Sequence, residues 1–527
     1  MRTDGTVRSR TTVFRPVKAS LTDLLGRDYA PAICEACAFL SGVPKKELLA
    51  IAGRKVDFYP PAFQKRMLSL LPRVGERVRA PLRATRRGAT SREFERNTRT
   101  DAAPLSGLGL FRIGEDGRLR LVSKSEHYHA PLGHGFPGYR LIDHARRLGI
   151  PNATHNSARG HITRLLEEEL VRTANGIARD DEAGLRRVLE STGSTALNRV
   201  LNLETGSLAM EAALKMMLGR FCKPQADSPE PKYRGRVPVL AVIGDADGGL
   251  EANYHGTTFL AQMLRGMWPE ALAAFEKRGI LLVRAVRPEN MEDLEALFQK
   301  YEKSPYKIAG FLYEIVLMNY GGLKLSKRFV RRAHTLCRRH DAPTAVDEIQ
   351  SCLWHPDLYM FREYGVRPTF VAVGKGFPGG EYPASRILFN SRMDCLPQFG
   401  ALVTNGQEEL ASLAYLITMR WAEANADVTR AVGDYYEERL RALASDHSSL
   451  LDRFEGSRHM GALFFHEIDA AKAFVARLVA GGIDISVQAY KAACPPAALT
   501  KLPLTAGCEA ADFIVARMGE ALRKLGG

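Results

Sequence analysis

In the stretch "VAVGKGFPGG" an apolar run ends in a lone lysine, Lys375, set among glycines. If the run is a strand of a parallel sheet, that side chain emerges where such sheets bind ligands. The plain alternative is a solvated turn lysine. Twenty-eight residues earlier, "AVDEIQ" puts Asp347 and Glu348 at the end of a second apolar run. A carboxylate buried there needs a cationic or hydrogen-bonding partner, and a protonated pyridine nitrogen is one; otherwise Asp347 is a helix cap or a surface acid. Further upstream, "NLETGSLAMEAALKMM" reads as a Thr-Gly-Ser turn opening a helix. The free N–H groups and dipole of a helix start suit a phosphate, with Gly206 permitting close approach, although a capped helix looks the same. In "NYHGTT", Tyr254 could lie flat on a heteroaromatic ring or simply pack in the core.

Taken together, these four pieces describe a site for pyridoxal phosphate: a lysine for an imine, a carboxylate for a ring nitrogen, a helix start for a phosphate and an aromatic lid. Such a site needs a sheet to carry it. The runs "VPVLAVIGD", "GILLVRAV", "IAGFLYEIV", "APTAVDEIQ" and "TFVAVGKG" alternate with helical stretches such as "SKRFVRRAHTLCRRH". This pattern predicts an α/β architecture, a mostly parallel sheet covered by helices. We expect four regions: a basic helical extension and linker over 1–100, a loop-rich segment over 101–160, a large cofactor-binding domain over 161–428 and a smaller α+β domain over 429–527.

The ordered motifs resemble those of the class III, or omega-amino acid, aminotransferases, of pyridoxal phosphate fold type I. "TGSLAMEAALK" resembles the family's phosphate turn, which implies phosphate contacts for Gly206 and Ser207. "YHGTT" resembles its Tyr-His-Gly, which implies Tyr254 and His255 at the cofactor ring. "DEIQS" implies Asp347 on the pyridinium nitrogen and Gln350 near the phenolic oxygen, and "GKGFPGG" matches the lysine motif. "VTNGQEELAS" implies that Thr404 reaches the phosphate of a neighbouring subunit, hence a homodimer with shared sites. The implied reaction moves an amino group between an amine or amino acid and a keto acid or aldehyde, with Lys375 as Schiff base and proton carrier and Asp347 holding the ring proton. An aminomutase, racemase or decarboxylase would use the same motifs.

This chain departs from the family around the substrate. "SCLWHPD" replaces the usual glycines and arginine after "DEIQ", Ile315 replaces a proline after Glu314, and an extra residue separates Gly380 from Pro383. In "TKLPLTAG" the arginine that often grips a substrate carboxylate has no clear counterpart; Lys501 is nearby but cannot form the bidentate fork.

The 527 residues carry a net charge of +15, of which residues 1–100 hold +12, from 21 Lys or Arg against 9 Asp or Glu. Nine arginines fall between Arg73 and Arg99, and "ICEACAFLSGVPKKELLAIAG" has a helix-turn-helix rhythm, so a nucleic-acid or protein-binding module is the competing reading of that end. Solvated linker arginines account for the same pattern, and no nucleic-acid partner is expected. No apolar run suits a membrane span, and the cytosol is the expected location. Eight scattered cysteines read as reduced thiols. His127 and His129 would share a face if "SEHYHAPLGH" were a strand, with His134 close by, but no acidic or thiolate partner has metal-site spacing, and no metal is expected. Arg140 and Arg159 are further candidates for binding a carboxylate.

Overall fold

The computed structural model describes residues 12–83, 85–86, 88–488 and 494–526. The first eleven residues, which begin the basic N-terminal stretch, and Arg87 of the arginine run lie outside the described residues.

Seven strands form the central sheet: β1 (Arg199–Leu203), β2 (Val237–Ile243), β3 (Leu282–Val286), β4 (Tyr306–Tyr313), β5 (Thr344–Asp347), β6 (Phe370–Val373) and β7 (Ser385–Phe389). Their spatial order is β1-β7-β6-β5-β4-β2-β3. Strands β6, β5, β4, β2 and β3 pair in parallel, whereas β7 runs antiparallel to both β6 and β1. Five of these strands are the apolar runs expected from the sequence. They are buried almost throughout, as continuous apolar strands covered on both faces must be. β1 and β7 were not anticipated: "RVLNL" begins exposed at the sheet edge and carries no alternation that marks a strand.

Register brings the chemistry together. Asp347 pairs with Ala372 across β5 and β6, so Lys375 follows three residues beyond that pair on the neighbouring strand. Val346 pairs with Tyr313 across β5 and β4, which sets Glu314 next to Asp347. Three strand ends therefore deliver Glu314, Asp347 and Lys375 to one edge of the sheet. Helix α1 (Gly206–Leu218) starts just after β1 and packs on the sheet through Ala209, Met210, Ala213 and Met217.

Helices Leu21–Leu25, Tyr29–Ser41, Lys45–Ala52 and Pro61–Leu70 occupy the N-terminal region where helical periodicity is expected. They are fastened to the body: Leu21, Cys34, Leu48 and Phe58 are buried in the same core as Phe136 and Trp421. The short strands Phe111–Gly114 and Leu119–Val122 continue into a sheet whose next member, Ile483–Asp484, comes from the C-terminal region. That region also forms a four-stranded antiparallel sheet of β8 (Leu451–Ser457), β9 (Met460–Phe465), β10 (Ser486–Gln488) and β11 (Ala497–Lys501), in the order β8-β9-β11-β10. No helix among the described residues is long and apolar enough to cross a membrane.

Candidate active site

Lys375 takes φ +33°, a left-handed backbone that costs a non-glycine residue about 1–2 kcal/mol and is retained where surroundings over-determine it. Its Nζ donates to Gln350 Oε1 at 3.3 Å. Gln350 Nε2 in turn donates to Glu314 Oε1 at 3.0 Å. Burial pushes the Lys375 amine below the ordinary lysine range, with Glu314 and Asp347 partly opposing the shift. The amine is thereby tuned toward the free base that a nucleophile or proton acceptor needs. Burial, then the nearby Asp347, raises the Glu314 carboxyl well above its usual range.

Asp347 is held at both oxygens. His255 Nδ1 lies 3.1 Å from Oδ2, and the Ile349 N–H donates to Oδ1 at 3.1 Å. The adjacent Glu348 points elsewhere and accepts from the Met360 and Phe361 N–H groups at 2.9 and 2.7 Å, fixing the chain below the site. Burial raises the Glu348 carboxyl to about 7. The two acids of "DEIQ" thus divide the work: Asp347 faces the cavity, and Glu348 braces the fold.

Opposite these groups, the Thr205 side chain caps α1 by accepting from Leu208 N at 3.4 Å. Ser207 Oγ accepts from the Thr257 N–H at 2.9 Å, tying this helix start to the turn after Tyr254 and His255. Gly256 closes that turn at φ +114°, and a Cβ placed on it would stand 2.5 Å from Ser207 Cα. A Cβ on Gly206 would stand 2.8 Å from the Ile349 side chain. Both glycines are required by close approach. Gly256→Ala is expected to push the cradle apart and weaken cofactor binding at least about 10-fold while the chain still folds, as a titration of cofactor-free protein would measure.

These residues surround a cavity of about 480 Å³. Gly206, Ser207, Tyr254, His255, Asp347, Gln350 and Lys375 all line it, so seven of the eight expected cofactor residues converge. Thr404 does not line it and is exposed in the segment before helix α2 (Glu409–Ala424). Arg140 and Arg159 are exposed and lie off the cavity, the latter 3.5 Å from Glu167. The histidine-rich segment is not a strand. Residues Ser125, Glu126, His127 and Tyr128 all have positive φ, in a left-handed turn. His127 stacks on Tyr128, His134 pairs with Glu126 at 2.8 Å, and only His129 lines the cavity. The shared face expected of His127 and His129 is therefore absent, because the backbone here does not alternate.

The lining also includes Glu314, which sequence reasoning did not assign a role although it ends an apolar strand just as Asp347 does. Glu314 Oε2 and His255 Nε2 are buried without a hydrogen-bond partner. Unsatisfied buried polar atoms, a glycine cradle at a helix start and a depressed lysine around one cavity fit a phosphorylated aromatic aldehyde.

A profile of the aminotransferase class-III family matches residues 167–501. The chain belongs to the class III aminotransferases. This family works with pyridoxal phosphate, and its fold is type I. Among curated relatives, the class III chain is 24% identical to an L-lysine-epsilon aminotransferase of Amycolatopsis lactamdurans over 362 residues, 62% of this chain and 75% of that protein. It is 28% identical to an ornithine aminotransferase of Emericella nidulans over 194 residues, 36% of this chain and 40% of that protein. Among solved structures, a transaminase from the marine bacterium Virgibacillus superposes with a TM-score of 0.65 at 15% identity, covering 83% of this chain and 96% of that one.

Proposed function

We propose that this aminotransferase transfers an amino group from an amine or amino acid to a keto acid or aldehyde, with Lys375 as the group that bonds the cofactor and carries the proton. The observation that carries this reading is the convergence of the Lys375 amine, the doubly anchored Asp347 carboxylate and the Gly206–Ser207 helix start on one cavity. When bound, pyridoxal phosphate supplies an aldehyde for amines and a ring that accepts the electron pair left when the carbon next to nitrogen loses a proton.

The chain supplies the rest. Gly206 and Ser207 would hold the phosphate at the start of α1, where N–H groups and dipole favour an anion. Asp347 would hold a proton on the ring nitrogen, and its two anchors keep the carboxylate from turning away. Gln350 would face the ring's hydroxyl, and Tyr254 and His255 would flank the ring from the cavity wall. Lys375 would bond the cofactor's aldehyde and, with its amine free, would serve as the base that takes and carries the proton of the substrate carbon. Glu314, whose carboxyl burial and the neighbouring Asp347 hold well above its usual range, accepts from Gln350 and keeps that side chain in place.

A homodimer completes the reading. Thr404 is exposed and off its own chain's cavity, as a residue serving a neighbour would be. Phe259 and Trp268, rings 5.4 Å apart, and Phe399 are apolar yet 49%, 53% and 83% exposed, which suits burial against a second copy. Sedimentation of the loaded protein should give a dimer, and Thr404→Ala should weaken cofactor binding without dissociating it; a monomer with full cofactor affinity would remove this element.

The reaction itself is tested by adding single amines to the loaded protein without an acceptor. Loss of the visible band, with its return on adding a keto acid or aldehyde, is the expected result. Release of carbon dioxide, or loss of substrate chirality with the band unchanged, would replace transfer with decarboxylation or racemisation.

A further inference from the structure

Lys501, the last residue of β11, is fully buried and does not line the cavity. Its Nζ donates to the backbone carbonyl of Gln350. It sits between two aromatic faces, 3.8 Å from the ring centre of Trp354 and 4.6 Å from that of Tyr128. Burial pushes the Lys501 amine well below the ordinary lysine range, and an amine in either protonation state can donate to the carbonyl.

The backbone around it is fastened just as firmly. The Lys501 N–H donates to Ser123 O at 2.7 Å, and Ser125 Oγ donates to Lys501 O at 2.7 Å. Trp354 Nε1 donates to Leu502 O at 3.0 Å. Trp354 also packs under the turn that follows Lys375: a Cβ on Gly376 would stand 2.7 Å from its ring. Tyr128, held out by the left-handed turn, lies with its ring centre 5.4 Å from the Lys375 Nζ. One residue of the small antiparallel sheet thus joins the N-terminal turn and the "DEIQSCLW" loop at the point where the Gln350 side chain meets Lys375.

We propose that Lys501 is a positioning residue for Lys375: boxed by Trp354 and Tyr128, it pins the Gln350 backbone so that the Gln350 side chain stays against the Lys375 amine, and it does not receive a substrate carboxylate. Two sequence departures, tryptophan in "SCLWHPD" and lysine in "TKLPL", are then halves of one device. The inference rests on Lys375 being the cofactor-bonding lysine.

The test follows the rate at which pyridoxal phosphate links to cofactor-free protein, the ε-amine nitrogen bonding to the aldehyde carbon with loss of water. The visible band reports the rate, and borohydride trapping with peptide mapping reports the residue. Lys501→Met is expected to slow linkage about 10- to 100-fold, as a misplaced reacting group does. Gln350→Ala should slow it comparably, and the double variant should be little slower than either single one, since both act through one side chain. An unchanged rate in Lys501→Met, or fully additive losses, overturns the proposal. If Lys501→Met does not fold, Trp354→Leu and Tyr128→Leu open the box one wall at a time and should each slow linkage; an unchanged rate in both overturns it equally. Failure of the wild-type protein to link at residue 375 would instead refute the underlying assignment of Lys375.

Discussion

Lys375→Ala should lower turnover about 10⁴-fold and remove the visible band of the lysine-linked cofactor, even with pyridoxal phosphate added in excess. Two functions are lost at once. The amine that bonds the cofactor is gone, and so is the base that withdraws the substrate proton. Because burial depresses this amine, Lys375 of the cofactor-free wild-type protein should react with an amine-directed reagent at a pH where solvent-exposed lysines remain protonated. The sign follows from the charge: desolvation disfavours the ammonium, so the free base is already present as pH rises toward the usual lysine range. Peptide mapping identifies the lysine, and labelling elsewhere with position 375 silent would contradict the assignment.

Asp347→Ala should lower the rate of the amine half-reaction by about 10²- to 10³-fold, the scale seen when one fixed charge-stabilising group is removed. The loss should fall on the rate of proton withdrawal rather than on occupancy, because the phosphate cradle and Lys375 are untouched. Stopped-flow measurement with substrate deuterated at the reacting carbon separates the two. A larger isotope effect is expected in the variant, where proton withdrawal becomes the slow step, and an unchanged rate would remove Asp347 from the mechanism. His255 should be the weaker neighbour: it steadies one carboxylate oxygen, while the Ile349 N–H still holds the other.

The strand-end rule made Lys375 and Asp347 legible, because apolar runs that stop at a charged residue are visible in one dimension. The same rule applies to Glu314, whose run "IAGFLYE" ends in the same way. The Gly206 turn is legible because glycine at a helix start has a steric meaning, whereas the need for Gly256 shows only in its approach to Ser207. β7 was not legible, since its buried polar positions, Ser385 and Arg386, interrupt the apolar pattern; Arg386 finds its partners in the Leu203 and Ser385 carbonyls. Nor was the left-handed turn at 125–128, because "SEHY" contains no glycine to announce positive φ. The box around Lys501 drew on Tyr128, Gln350 and Trp354, residues whose meeting depends on how three distant segments pack. The N-terminal helices were foreseen as elements, but their burial against Trp421 was not, since charge dominates that part of the sequence.

The reversal of direction between β6 and β7 leaves both ends of their connection on the same rim. Pro378, Gly380, Glu381, Tyr382, Pro383 and Ala384 consequently form a canopy over the cavity, hung from two anchored strands. Insertions or deletions in that canopy would resize the chamber beneath while the ladder below keeps its pairing. A change of length in that canopy is therefore expected to alter which amine the chamber admits.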